Sequence, residues 1–180
     1  MRAIPLAATA LAAALLLTAC DSDSGGGGGD DSASSSGKAG GACEVGRLGV
    51  EVGPANAAPA AGDTGNIPVS LTNQSAPCAL DGSPGVTLKA GDTVATVPAA
   101  SGANPEKLTL AKGESVTFTL TYVRGGAAGA KGLDAKTLEV SLPGDADTTK
   151  SFPWSYGVLA LKGGGKAPDA SVGPFTRAGD

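Results

Sequence analysis

The chain has 180 residues, with 13 Lys and Arg against 17 Asp and Glu, a net charge of −4, and no histidine. That length holds one domain plus accessory segments, and mild acidity without a basic block argues against nucleic acid as a partner. The missing imidazole removes Ser-His-Asp and Cys-His nucleophile arrangements and the commonest metal ligand.

The first 19 residues carry the three parts of an export signal. Arg2 is a minimal positive n-region, Leu6 to Leu17 is apolar apart from Thr9, and small residues precede a cleavage point. The apolar run falls short of the about 20 residues that a membrane span requires, so an uncleaved anchor helix is the weaker reading. Leu17-Thr18-Ala19-Cys20 resembles the bacterial lipobox, in which the cysteine is acylated and the bond before it is cut. The resemblance implies a lipoprotein held by lipid on Cys20 at the outer face of the cytoplasmic membrane, stably so once several acyl chains are attached. The alternative is an ordinary signal peptide whose Cys20 enters a disulfide.

Cys20 and residues 21–42 read as a lipidated tether. Eight Gly, six Ser and four Asp fill 18 of the 22 positions from 21 to 42, which leaves no apolar face to bury. A Gly-rich coil of that length has an r.m.s. reach of about 26 Å, and its net charge of −3 disfavours collapse onto an anionic membrane surface.

Residues 43–178 read as one domain, long enough for a single core, and from Cys43 onward the chain carries a net charge of −2. With Cys20 lipidated, Cys43 and Cys78 remain, in a compartment where disulfides persist. They allow one intramolecular pairing, with two free buried thiols as the alternative. No metal site is expected, because no further cysteine and no histidine could complete one.

From Cys43 onward the apolar residues alternate with period two. Leu48, Val50 and Val52 share one face, Val69 and Leu71 another, and Val86 and Leu88 lead through Ala90-Gly91-Asp92 into Thr93 to Val97. Leu108 and Leu110 follow. In Ser115 to Val123, Val116, Phe118, Leu120 and Tyr122 oppose Thr117, Thr119 and Thr121. Leu138, Val140 and Leu142 form the next stripe, Phe152, Trp154 and Tyr156 alternate with small residues, and a short strand fits Ala170 to Phe175. Seven or eight short strands between Gly, Pro and Asp turns, with no convincing helix, predict an all-β fold. The expected form is an Ig-like antiparallel β-sandwich, with a small β-barrel as the rival. Leu71, Val86, Leu120, Leu138, Val140 and Trp154 are its expected core. The gaps at 53–65, 98–106 and 124–135 read as loops.

The order of these elements resembles a family, the domain of unknown function 4232, common in exported proteins of actinobacteria. Leu71-Thr72-Asn73-Gln74-Ser75 and Cys78-Ala79-Leu80-Asp81-Gly82-Ser83-Pro84-Gly85-Val86 carry the most specific part of the likeness. Cys43, Leu48-Gly49-Val50, Leu110-Ala111-Lys112-Gly113-Glu114, Leu138 to Gly144 and Ser171 to Phe175 extend it across the domain. Members of the family often carry two more cysteines in the C-terminal half and an aromatic at the place of Ser83. This chain has neither, so its C-terminal strands must be held by packing. The resemblance implies no established activity. The Asn73 block reads as a corner of the fold: Asn suits turns, and Gly82 and Gly85 around Pro84 suit a tight bend.

Little else points to chemistry. Ser35-x-x-Lys38 matches a serine–lysine spacing but lies in the tether, and Gly125 to Lys131 lacks the order of a phosphate loop, so no cofactor is expected. Asp145 and Asp147 alone are too few for calcium. Phe152, Trp154 and Tyr156 read as core, with a stacking platform as the alternative. The expected function is therefore a non-catalytic, membrane-anchored module that binds an envelope protein, glycan or small ligand through sandwich loops. Residues 53–61 and 124–132 are the first candidates, exchangeable without loss of stability. A glycan hydrolase using two carboxylates is the alternative.

Overall fold

Because successive side chains of a strand point to opposite faces, the alternation above gives each strand one apolar face, and two such faces must close on each other. A computed structural model describes residues 40–126 and 132–177 and shows that closure. The export signal, Cys20, the tether up to residue 39 and residue 178 lie outside the described residues. In chain order the strands are β1 (Leu48–Val52), β2 (Thr64–Asn73), β3 (Cys78–Leu80), β4 (Gly85–Ala90), β5 (Thr93–Val97), β6 (Leu108–Leu110) and β7 (Ser115–Val123). They continue with β8 (Gly132–Leu133), β9 (Thr137–Leu142), β10 (Asp145–Pro153), β11 (Leu159–Ala160), β12 (Ala170–Val172) and β13 (Thr176–Arg177). Two short 3₁₀ turns are the only helical pieces among the described residues.

One sheet runs β1-β2-β7-β12, with β13 also on β7; the other runs β10-β9-β4-β5. All the pairs within them are antiparallel. This is the immunoglobulin arrangement: β1, β2 and β7 stand as A, B and E, and β5, β4, β9 and β10 as C′, C, F and G. β12 takes the edge beside β7, where strand D would be. After β5 the chain crosses to that edge, and Pro98 and Ala100 bond to Val172 across a parallel bridge at Ala99. Among the described residues neither sheet closes on itself, so the sandwich stands and the barrel does not.

The core lies between the sheets. Val116, Phe118, Leu120 and Tyr122 of β7 and Ile67, Val69 and Leu71 of β2 are at most 1% exposed. Val86, Leu88, Leu138 and Val140 meet them from the second sheet. Burying one such side chain stabilises the fold by roughly 1.5–3 kcal/mol. All six residues expected in the core are buried.

Three expectations need correction. β2 begins at Thr64, inside a stretch read as loop, because Gly65 and Pro68 hide its alternation while Ile67 is fully buried. Pro68 is tolerated because its carbonyl, bonded by Gly53 N–H at 2.8 Å, faces the side that β1 leaves after Val52; its missing N–H would point there too. The strand expected over 151–156 is instead Asp145–Pro153, the second arm of a hairpin with β9. The third concerns β3, β8 and β11, two or three residues each and too short to show a period.

Cys43 and Cys78 are bonded, with Cα atoms 4.9 Å apart, and stand 35 positions apart in sequence. The bond ties the chain just before β1 to β3. Ala79 N–H donates to Gly41 O at 3.1 Å and Cys43 N–H to Ala79 O at 2.9 Å, so residues 41–43 lie along β3 as an added strand. Closing a loop of this size should contribute about 4 kcal/mol. Replacing both cysteines by serine should therefore lower the thermal midpoint by on the order of 10 °C, read by circular dichroism.

Candidate functional site

The two ends of the sandwich are built for different duties. At the end near the disulfide, Asn73 is a fully buried polar residue. Its Nδ2 donates to Ala76 O and Leu110 O, both at 3.0 Å, and its Oδ1 accepts from Ser75 N–H at 3.0 Å and Ser75 Oγ at 3.2 Å. Its main chain bonds Glu114 O at 2.9 Å and Gly113 N–H at 2.7 Å. Every polar atom of the carboxamide is thus engaged. The rest of the block is equally structural: Leu80 and Val86 are buried, and Gly82 takes a φ of 122°, which side chains rarely adopt. This corner holds the fold together.

The opposite end gathers the aromatics. Gly65 stands across from Tyr122, and the ring lies over it; a methyl there would overlap the ring. Tyr122 Oη accepts from Ala58 N–H and donates to Tyr156 O, each at 3.2 Å. Trp154 meets Tyr122 edge-on at 5.2 Å and Tyr156 at 5.0 Å, and its Nε1–H donates to Gly157 O at 2.6 Å. Trp154 is buried, whereas Phe152 and Tyr156 are half-buried against the core. The aromatic stretch is therefore core at its centre. Burial, reinforced by the neighbouring Tyr122, holds the Tyr156 phenol above its usual 10.0, so it stays uncharged at physiological pH.

The first candidate recognition loop is also structural. Ala58 is fully buried, and Arg124 Nη1 donates to Ala58 O at 2.7 Å. Asn56 and Asn66 exchange main-chain bonds at 2.9 Å, which lashes the loop to β2. Of the second candidate, 127–131 lie outside the described residues; Gly125 N–H bonds Val158 O at 2.8 Å, beside β11 and its partner β8.

Beside β8 lies a hollow of about 1040 Å³, of the size that takes a small ligand or a peptide side chain. Three segments distant in sequence enclose it. Ala90 and Thr93 come from the β4–β5 turn, Leu133 from β8, and Leu161 from the segment after β11. Lys136 and Lys166 stand at the rim, exposed. Asp134, the one carboxylate among the described lining residues, sits 2.9 Å from Lys136 Nζ by each of its oxygens. Lys166 has no acidic partner among the described residues. Sequence reasoning missed the hollow, since no local motif links its walls. Asp145 does not join it: its Oδ1 accepts from Thr148 N–H at 3.2 Å and shapes the β9–β10 hairpin. Among the described residues no three His, Cys, Asp or Glu side chains converge as a metal site would need.

An Ig-like sandwich with a knotted corner at one end and an open hollow at the other is the class of domain described. Residues 43–176 match the family model of a domain of unknown function, DUF4232, and the chain belongs to that family. No curated protein and no solved structure matches it. Replacing residues 56–60 by a Gly/Ser loop should destabilise the protein by about 1–3 kcal/mol, because Ala58 and its bonds are lost. A thermal melt against the unaltered chain checks this, and it reverses the expectation of a freely exchangeable loop.

Proposed function

We propose that this domain is a non-catalytic binding module of the cell envelope, held at the outer face of the membrane by lipid on Cys20, with the hollow as its ligand seat. The observation that carries the reading is polarity of build. The chain enters at Gly41 to Cys43, against β3 and the Asn73 corner, and the hollow opens at the far end of the strands. The ten residues of β2 span about 33 Å from the Asn73 corner to the far end of its sheet. An apolar floor of Leu133 and Leu161 with lysines at the rim supports binding of a partly apolar, anionic ligand. A glycan hydrolase would need a second carboxylate about 5–9.5 Å from the first, and Asp134 is alone among the described lining residues and tied to Lys136.

Mass spectrometry of the native protein should find Cys20 at the mature N-terminus bearing acyl chains; an unmodified Cys20 in a secreted, soluble form would reject the anchor. Titration of the full chain with soluble muropeptides, followed by amide NMR, should move signals of Thr93, Leu133 and Lys166 without releasing any shortened product. Product release would overturn the non-catalytic reading, and shifts confined to other residues would overturn the seat.

A further inference from the structure

The hollow adjoins a strand that differs from the other edges of the two large sheets. Edge strands are usually blunted by charge, proline, irregular register or a covering segment. β10 has an irregular register between Asp145 and Thr149, ends at Pro153, and carries Lys150, whose ammonium reaches across to Leu48 O. β1 carries Glu51 and runs into Gly53-Pro54. β12 is covered by Pro98 to Ala100. β5, Thr93-Val94-Ala95-Thr96-Val97, has no charge, no proline and no covering strand among the described residues.

The direction of its free groups follows from the ladder. Opposed residues in an antiparallel pair either bond each other or both face away. Lys89 faces β9, because its carbonyl accepts from Lys136 N–H at 2.7 Å, and Lys89 lies opposite Val94. Val94 and, two residues on, Thr96 therefore turn their N–H and C=O groups outward. Pro98 continues the pattern, its outward carbonyl taken by Val172 N–H at 2.9 Å. Among the described residues nothing takes these two donors and two acceptors, and Val94 is 61% exposed, the one large hydrophobic residue so placed among those described.

This edge lies between two hollows. Thr93, at its start, lines the large one opposite Leu161 and Lys166. Pro98, just past its end, lines a smaller one of about 210 Å³ opposite Lys162. A single segment, 161–166, thus supplies the far wall at both ends. Such a frame admits one extended chain.

We propose that β5 is a peptide-docking edge: an extended polypeptide segment adds to it as a strand, with a carboxylate-bearing side chain in the large hollow beside Lys166. Main-chain bonds to Val94 and Thr96 supply affinity, and the hollow supplies selection, as in other domains that bind peptides by strand addition. The proposal names the ligand class of the seat described above and rests on that reading.

The test uses the full chain and a seven-residue probe of alternating threonine and valine with one glutamate. Binding should shift the amides of Val94 and Thr96 and protect them from hydrogen exchange. Changing the probe's glutamate to glutamine, or making Lys166→Glu, should weaken binding by about tenfold, the equivalent of about 1.4 kcal/mol. Thr96→Pro removes only an outward-facing donor, so it should abolish probe binding while leaving the thermal midpoint near that of the unaltered chain. Val94→Lys, which needs no backbone change, should weaken binding as well. Binding that leaves both amides untouched, or that survives Thr96→Pro, overturns the strand addition. Self-association in ultracentrifugation that Thr96→Pro abolishes overturns it in favour of a second copy. Muropeptide shifts at Leu133 and Lys166 with no probe effect at Val94 keep the seat and overturn the peptide ligand alone.

Discussion

The buried carboxamide of Asn73 is the constraint from which the rest of the fold is measured. A buried amide that left a donor or acceptor unpaired would cost about 1–3 kcal/mol for each. Here the two N–H groups and the oxygen are all spent, on Ala76, Leu110 and Ser75. Three separate segments therefore have one mutual position: the last residue of β2, the loop into Cys78, and the strand before the β6–β7 turn. That position sets Thr72 opposite Ser115, and the pairing runs unbroken from there to Thr64 opposite Val123. A slip of one residue would turn Ile67, Val69 and Leu71 out to water.

The consequence at the far end is that Tyr122 arrives over Gly65 and nowhere else. Its hydroxyl then joins the 53–63 loop to the chain after β10, and Trp154 closes edge-on against the ring. Packing encloses the ring on that side. The other side, between the β4–β5 turn and the segment after β11, has no aromatic to fill it, and the hollow is what remains. A core with only six aromatic residues spends Phe118 and Phe175 on each other at 5.8 Å and Tyr122, Trp154 and Tyr156 on one cluster.

Strands whose two faces differ in polarity were legible in the sequence. β7 is the plainest, with four apolar residues against hydroxyls and its expected span matched end to end. The half of β2 before Val69 was not, since glycine carries no hydrophobic signal and proline reads as a break. β10 was displaced because its first residues are polar on both faces, as an exposed hairpin arm allows. The corner around Asn73 could be read as structural from its residue types, though its partners could not. The hollow was illegible for a different reason. Its walls come from residues 90–93, 132–136 and 161–166, and only the sheet topology brings them together.

The crosslink has a mechanical side. Without the crosslink, tension applied through the residues before Cys43 would pass from their short pairing with β3 into β1, an edge strand held to its sheet by β2 alone. Pulled from its end, such a strand would unzip one pair at a time. The Cys43–Cys78 bond passes the load across sulfur to β3 instead. β1 and β2 then lie inside a covalent ring and bear none of it. A domain pulled between the residues before Cys43 and something gripped at the far end would yield elsewhere, with the sheet that carries Asn73 the last to feel the pull.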